Sequence, residues 1–295
     1  MDGKIDIIKS PLRYPGGKSK AVKRIVPLII EFDEYREPMV GGASVFFALK
    51  QKYPNKKYWI NDINKDVCAF WKACQKQPEE LITTINKFRS MFVKGQRPKN
   101  AEGKQLYKYL MSNKENLTEL DRAARFFILN RITFSGLIGS GGYSRQAFKK
   151  RFTESSTERV RKAATLLQDV KITNMDYKEL VNRDGKNVFL FLDPPYMDNA
   201  EAKLYGERGR LHEHFRHKRF AENMEKCKHK YLITYDDCSG VRSLYTFANA
   251  IELHIKGWKL QYGTNNGAKN KEDKSATIGK ELFIFNYQVK AGKGK

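Results

Sequence analysis

The densest chemistry in the chain sits at Asp193-Pro194-Pro195-Tyr196. Two consecutive prolines fix φ and remove two backbone donors, so the carbonyl oxygens of this turn are free to face a ligand. An exocyclic amine on a heterocyclic base presents two N–H donors. Asp193 and the Pro194 carbonyl can accept both while Tyr196 stacks on the ring. Such contacts favour a pyramidal nitrogen and localise a lone pair that is otherwise delocalised into the ring. A second grouping is Glu37-Pro38-Met39-Val40-Gly41-Gly42-Ala43-Ser44, where adjacent glycines allow a tight turn and close approach of a ligand. Gly-Gly turns also start helices for purely structural reasons. What adds chemistry is Asp62, 21 residues after Gly41 at the end of the next predicted strand, where an acid can accept both hydroxyls of a ribose. A third, Arg13-Tyr14-Pro15-Gly16-Gly17-Lys18-Ser19, looks like a phosphate loop. Leu12 stands where that pattern needs a glycine, which disfavours nucleoside-triphosphate hydrolysis.

These groups need strands to hold them. Val188-Phe189-Leu190-Phe191-Leu192 is apolar on both faces and stops at Asp193, as a buried parallel strand would. Tyr231 to Tyr235 and Leu282 to Asn286 read likewise. Glu37 to Val40 and Lys57 to Ile60 read as strands flanking a helix from Ala43 to Lys52. Strands alternating with helices predict an open α/β sheet. Between Asp62 and Val188 lies too much chain for one crossover. Helices are predicted over Ala69–Ser90, Lys104–Met111, Leu120–Asn130 and Glu158–Asp169. The expected organisation is a catalytic domain over residues 1–64 and 166–295 and an inserted helical, basic domain over 65–165.

Fifty-six Lys and Arg against 33 Asp and Glu set a formal charge of +23 on 295 residues, and residues 65–162 carry 21 basic against 9 acidic side chains. That balance predicts a polyanionic partner, nucleic acid first, because basic surfaces release condensed counterions from phosphates. The insertion offers Arg122, Arg125, Arg131 and Arg145 for DNA contact, the last beside a Gly-rich loop, Ser140 to Tyr143. Lys256 to Lys280 reads as a basic loop between strands. Four cysteines without a C-x-x-C pair exclude a disulfide framework or a four-cysteine zinc site. His212-Glu213-His214-Phe215-Arg216-His217 misses the zinc-protease spacing because Arg216 occupies the second histidine's place, and no metal is expected. No run approaches the ~20 apolar residues of a membrane span. Met1 to Ser10 lacks the apolar block of a signal peptide. A cytoplasmic protein of a bacterium or a phage-infected cell, monomeric or weakly dimeric, is expected.

Taken in order, Leu12-Arg13-Tyr14-Pro15-Gly16-Gly17-Lys18, Glu37-Pro38-x-x-Gly41-Gly42-Ala43-Ser44, Asn61-Asp62-Ile63-Asn64, Asn130-Arg131-x-x-Phe134-Ser135-Gly136 and Asp193-Pro194-Pro195-Tyr196 resemble the Dam-type (class α) DNA adenine-N6 methyltransferases. The resemblance covers roughly residues 9 to 285. It implies a Rossmann-like fold, S-adenosylmethionine as methyl donor, and site-specific methylation of adenine in double-stranded DNA with base flipping. By the same resemblance Tyr14, Lys18, Glu37, Gly41, Gly42, Asp62 and Asp193 lie at the donor site, and Asp176 near the donor's adenine. Asp193 to Tyr196 would be catalytic. Three positions depart from the family's usual residues: Met39 for Phe, Ala43 for Gly and Ser135 for Asn. The residues by themselves leave open methylation of cytosine N4, RNA or a protein amide, or a non-catalytic DNA-binding relative. A GATC-like target and a partner restriction enzyme are compatible with the family, but no residue specifies them.

Overall fold

Residues Val188–Leu192 form β4, buried at all five positions, as an apolar run between two flanking strands must be. The computed structural model describes residues 8–14, 16–93, 99–138, 140–197, 215–254 and 280–288. β4 lies between β1 (Glu34–Glu37) and β5 (Lys230–Asp236), parallel to both, with Tyr35 beside Phe189 and Phe191 beside Leu232. Outside β1 come β2 (Lys57–Asn61) and the short β3 (Lys171–Thr173), again parallel. Beyond β5, β7 (Lys280–Phe285) enters antiparallel and pairs with β6 (Asn249–His254). The order β3-β2-β1-β4-β5-β7-β6 makes seven strands. The chain winds outward from β1 in one direction and from β4 in the other. The crevice at their carboxyl ends is therefore the switch point where open α/β sheets bind ligands.

Alternation along β4 sends Phe189 and Phe191 to one face and Val188, Leu190 and Leu192 to the other. On the second face Leu190 and Ile233 pack with Val181 of α9 (Tyr177–Asn182), Phe220 of α10 (His217–Glu225) and Val241 of α11 (Ser239–Leu244). The first face carries α1 (Val22–Ile25), α2 (Ser44–Lys52), α3 (Lys65–Lys76) and α8 (Glu154–Leu167). Between α3 and α8 run α4 (Pro78–Phe92), α5 (Asn100–Ser112), α6 (Glu119–Ile132) and α7 (Arg145–Arg151).

The long helix expected over Ala69–Ser90 is two helices. Gln77 leaves helical geometry at φ −148°, and Pro78 starts α4 where a missing N–H costs nothing. α6 is buried continuously from Ala123 to Ile132 and packs against α3, α4, α5 and α7. It is the axis of the helical subdomain. One buried cluster joins that subdomain to the sheet, running from Tyr35 and Phe189 through Phe47, Phe70 and Trp71 to Phe127 and Leu106. α3 lies on the sheet face, and its Cys68 thiol donates to the carbonyls of Asp62 and Thr173 at 3.1 Å. Among the described residues no helix is long and apolar enough to cross a membrane.

Arg36 ties β1 to the segment that leads into β4. Its buried guanidinium donates to the carbonyls of Leu180, Arg183 and Asp184 and to the carboxylate of Glu34, the last at 2.6 Å. Arg36→Met keeps the length and strands those carbonyls. A loss of about 3 kcal/mol is expected, read as a lowered urea midpoint. A shift worth less than about 1 kcal/mol would show that water replaces the guanidinium.

Candidate active site

β1 delivers Glu37 to the switch point, and the chain then turns through Pro38 to Ala43 before α2. Gly41 has φ +43° and Ala43 φ +57°, both left-handed. A Cβ on Gly41 would lie 2.6 Å from the Tyr14 ring, and one on Gly42 2.7 Å from the Tyr14 Cβ. The glycines are therefore required by Tyr14, which packs directly on the turn. Asp62, at the end of β2, holds the same turn from the other side. Its Oδ2 accepts the Gly41 N–H and its Oδ1 the Asn64 N–H, each at 2.9 Å. The Trp71 indole donates to the Gly41 carbonyl at 3.0 Å.

The other wall is an ion cluster. Lys18 is 4% exposed, and its Nζ sits 2.5 Å from Asp193 Oδ1 and 3.5 Å from Glu281 Oε1. The Thr234 hydroxyl of β5 also donates to Asp193 Oδ1, at 2.8 Å. Tyr196 donates its hydroxyl to Glu281 Oε1, and the Lys18 ammonium lies 5.0 Å from the centre of the Tyr196 ring. Burial disfavours the Lys18 ammonium, but Asp193 and Glu281 outweigh it and hold it charged above its ordinary range. Burial raises Glu281, against the pull of Lys18. Glu37 is pushed up to about 8 by burial, with Asp193 adding to the shift and the Tyr35 hydroxyl opposing it. Burial also raises Asp62 to about 6, against the Asn64 and Gly41 N–H bonds.

Between these walls is a cavity of about 450 Å³, lined by Tyr14, Lys18, Glu37, Gly41, Gly42, Asp62, Asp176, Asp193 and Pro195. That volume lies within the usual range of small-ligand sites. Asp176 caps α9, accepting the Lys178 N–H at 3.0 Å. Tyr196 is placed otherwise than the sequence suggests. The residue is 7% exposed, with the Lys18 ammonium 5.0 Å from its ring centre, and it is not among the residues lining the cavity. Local reading also missed Glu281 and Thr234, together with Ile63, Tyr177, Phe191 and Arg219 in the lining. Glu281 alone had a local signal, an acid against an apolar strand. His212 to His214 and residues 256–279, singled out as candidate loops, lie outside the described residues.

The Asn130 side chain joins two of the sequence motifs. It accepts the Arg13 N–H at 2.9 Å and donates to the Arg13 carbonyl at 2.6 Å, holding the backbone beside Tyr14 against the end of α6. Gly136, at φ +79°, passes so close that a Cβ would meet the Arg13 oxygen at 2.3 Å.

Three of the four arginines expected at a DNA surface are placed elsewhere. Arg122 pairs with Asp66 at 3.1 Å. Arg125 is buried and donates to the Leu110 carbonyl at 2.6 Å, joining α6 to α5. Arg131 is 4% exposed with its Nε unpartnered among the described residues. Burial first, then Arg159, Arg13 and Arg151, push it down to about 9. Only Arg145, at the start of α7, is exposed.

If Tyr14 is what the Gly41 position accommodates, Gly41→Ala loses about 2 kcal/mol or more through contact and left-handed strain. Tyr14→Ala in the same chain should relieve the contact part, leaving the paired losses short of additive by about 1 kcal/mol in denaturant unfolding. Strict additivity would separate the glycine from the ring.

The comparisons agree with this geometry. The family model for D12 class N6 adenine-specific DNA methyltransferases matches residues 14–258. Type II methyltransferase M.MjaIII of Methanocaldococcus jannaschii is 31% identical over 205 residues, 64% of this chain and 69% of that protein. Type II methyltransferase M1.LlaDCHI of Lactococcus lactis subsp. cremoris is 23% identical over 297 residues, 93% and 94% of the two chains. The DNA N-6-adenine-methyltransferase of Escherichia phage P1 is 25% identical over 251 residues, 80% of this chain but 31% of that protein. The matched span carries the Tyr14 turn, the Asp62 strand end and the Asp193 turn, and the chain belongs to the D12 class of N6 adenine-specific DNA methyltransferases.

Proposed function

We propose that the cavity binds S-adenosylmethionine against the Gly41 turn and that Asp193, with the Pro194 carbonyl, grips the amine of an adenine rotated out of a DNA duplex. The observation that carries this reading is the occupancy of Asp193. Lys18 and Thr234 both take Oδ1, while the side chain keeps 21% of its surface exposed at the cavity. The carboxylate is fixed by one oxygen and remains accessible for an amine donor. When bound, the donor supplies an already activated sulfonium methyl group, so orientation and electrostatics are what the protein must add. We assign the ribose hydroxyls to the lone pairs that Asp62 keeps beyond the Gly41 and Asn64 N–H bonds, and the cationic donor to the wall that carries Asp193, which Glu37 joins in negative charge only as it ionises.

The formal charge of +23 supports the DNA side of the reading, because basic surfaces release condensed counterions from phosphates. Arg145, exposed at the start of α7, is a candidate contact on the helical insertion. By likeness to relatives named type II methyltransferases and a modification methylase, we read the setting as restriction-modification.

The direct test is mass analysis of nucleosides from duplex DNA incubated with donor and purified protein. N6-methyladenine is expected, and N4-methylcytosine alone would overturn the assignment. Asp193→Ala should reduce single-turnover transfer by roughly 1,000-fold or more while the fold persists. Activity near that of the unsubstituted protein would remove Asp193 from its role.

Glu37 makes donor binding depend on pH. Because its folded pKa is near 8, it is largely protonated at neutrality and ionises as pH rises through that value. A cationic donor prefers the ionised form. Donor affinity measured by calorimetry should rise between pH 6 and 8, by at most about tenfold per unit, and level off above. Glu37→Gln should flatten the upper part of that rise. An unchanged pH curve in this variant would show that Glu37 does not face the donor's charge.

A further inference from the structure

We infer that Glu281 is a positioning residue for methyl transfer: from β7 it holds the Lys18 ammonium and the Tyr196 hydroxyl together, and so sets how much of the Lys18 charge falls on Asp193. The inference rests on the adenine-methyltransferase reading of the Asp193 site.

Two segments reach the Glu281 carboxylate: Lys18 comes from the segment beside the Tyr14 turn and Tyr196 from the turn after β4. Lys18 links it to Asp193, whose Oδ1 also accepts from Thr234 of β5. Glu281 stands beside Asp236 in the antiparallel β5–β7 register. It is 5% exposed. Its Oε1 receives both Tyr196 and Lys18, while its Oε2 is buried with no hydrogen-bond partner among the described residues. A buried acceptor left unpartnered is costly. A strand whose next four residues are Leu282, Phe283, Ile284 and Phe285 would pack an apolar side chain there at no such cost. The carboxylate is therefore explained by what its charge does.

Without it, Lys18 would have Asp193 as its only ion-pair partner among the described residues. The ammonium would draw charge from the carboxylate that must accept the substrate amine, and Tyr196 would lose the anchor that keeps its ring under Lys18. With it, Lys18 is shared between two carboxylates, and less of the ammonium's field falls on the Asp193 oxygens that face the cavity. Glu281 itself does not line the cavity. Its effect should consequently appear in the chemical step and leave affinity for either substrate alone.

The test compares Glu281→Gln, Tyr196→Phe and the double variant in the full chain, using S-adenosylmethionine and an adenine-containing duplex that the unsubstituted protein methylates. Glu281→Gln should keep the melting temperature within a few degrees and donor and DNA affinities within about threefold, while the single-turnover rate falls roughly 10- to 100-fold. The double variant should lose less than the product of the two single losses, because the hydroxyl and carboxylate act as one unit. A Gln variant that turns over within twofold of the unsubstituted protein, or whose defect lies wholly in affinity, overturns the inference. If Gln prevents folding, Glu281→Asp decides by the same criteria, since it keeps the charge but withdraws it by one methylene. The product formed by the unsubstituted protein tests the functional reading separately from the role of Glu281.

Discussion

A single buried ammonium, Lys18, organises the centre of this protein. Asp193 and Glu281 flank it at the carboxyl ends of the central strands and Tyr196 lies against it. Removing a lysine from water is favourable only where opposite charge and hydrogen bonds replace the solvent. The fold meets that requirement by bringing an N-terminal segment, the end of β4 and the start of β7 to one point. Sheet order serves the same end. Placing β4 between β1 and β5, and β7 antiparallel beside β5, sets Glu37 and Asp193 on one crevice, with Thr234 bonded to Asp193 and Glu281 paired with Lys18.

The glycine turn across the crevice is held as tightly. Tyr14 fills the space that side chains at positions 41 and 42 would need, and Asp62 fixes the backbone by two amide hydrogens. Two of the departures from the family's usual residues, Ala43 and Ser135, fall on left-handed backbone, at φ +57° and +52°. Glycine and asparagine adopt that region readily, so the family preference at these positions has a backbone cause. Here the strain is accepted, and the surrounding contacts hold the turns in place. Asn130 does much of this for the second turn, since it binds both the Arg13 backbone and the Gly136 carbonyl.

Positive charge has two uses in this chain. Arg36 and Arg125 are interior fasteners that donate to backbone carbonyls. Arg131 is a buried cation among other arginines. A count of basic residues over 65–162 marks that stretch as basic but cannot sort fasteners from contacts. An arginine on a helix reads the same in sequence whether its side chain points to solvent or to a neighbouring helix.

Short-range patterns were legible where the physics is local. The β4 run, the Gly41 turn and the acid ending β2 follow from apolar continuity, glycine freedom and fixed spacing. Those patterns determined the sheet class and singled out Gly41, Gly42, Asp62 and Asp193, while the resemblance in motif order supplied the family and added Tyr14, Lys18, Glu37 and Asp176; all eight line one cavity. The single helix expected over 69–90 missed that Pro78 starts a second one. Only the tertiary structure decided that Tyr196 is buried, that Glu281 shares Lys18 with Asp193, that Arg125 and Arg131 lie inside, and that the helical insertion shares its core with the sheet. Each of these depends on which distant segments meet. Strand order and helix packing set that, and no spacing within a single segment encodes it.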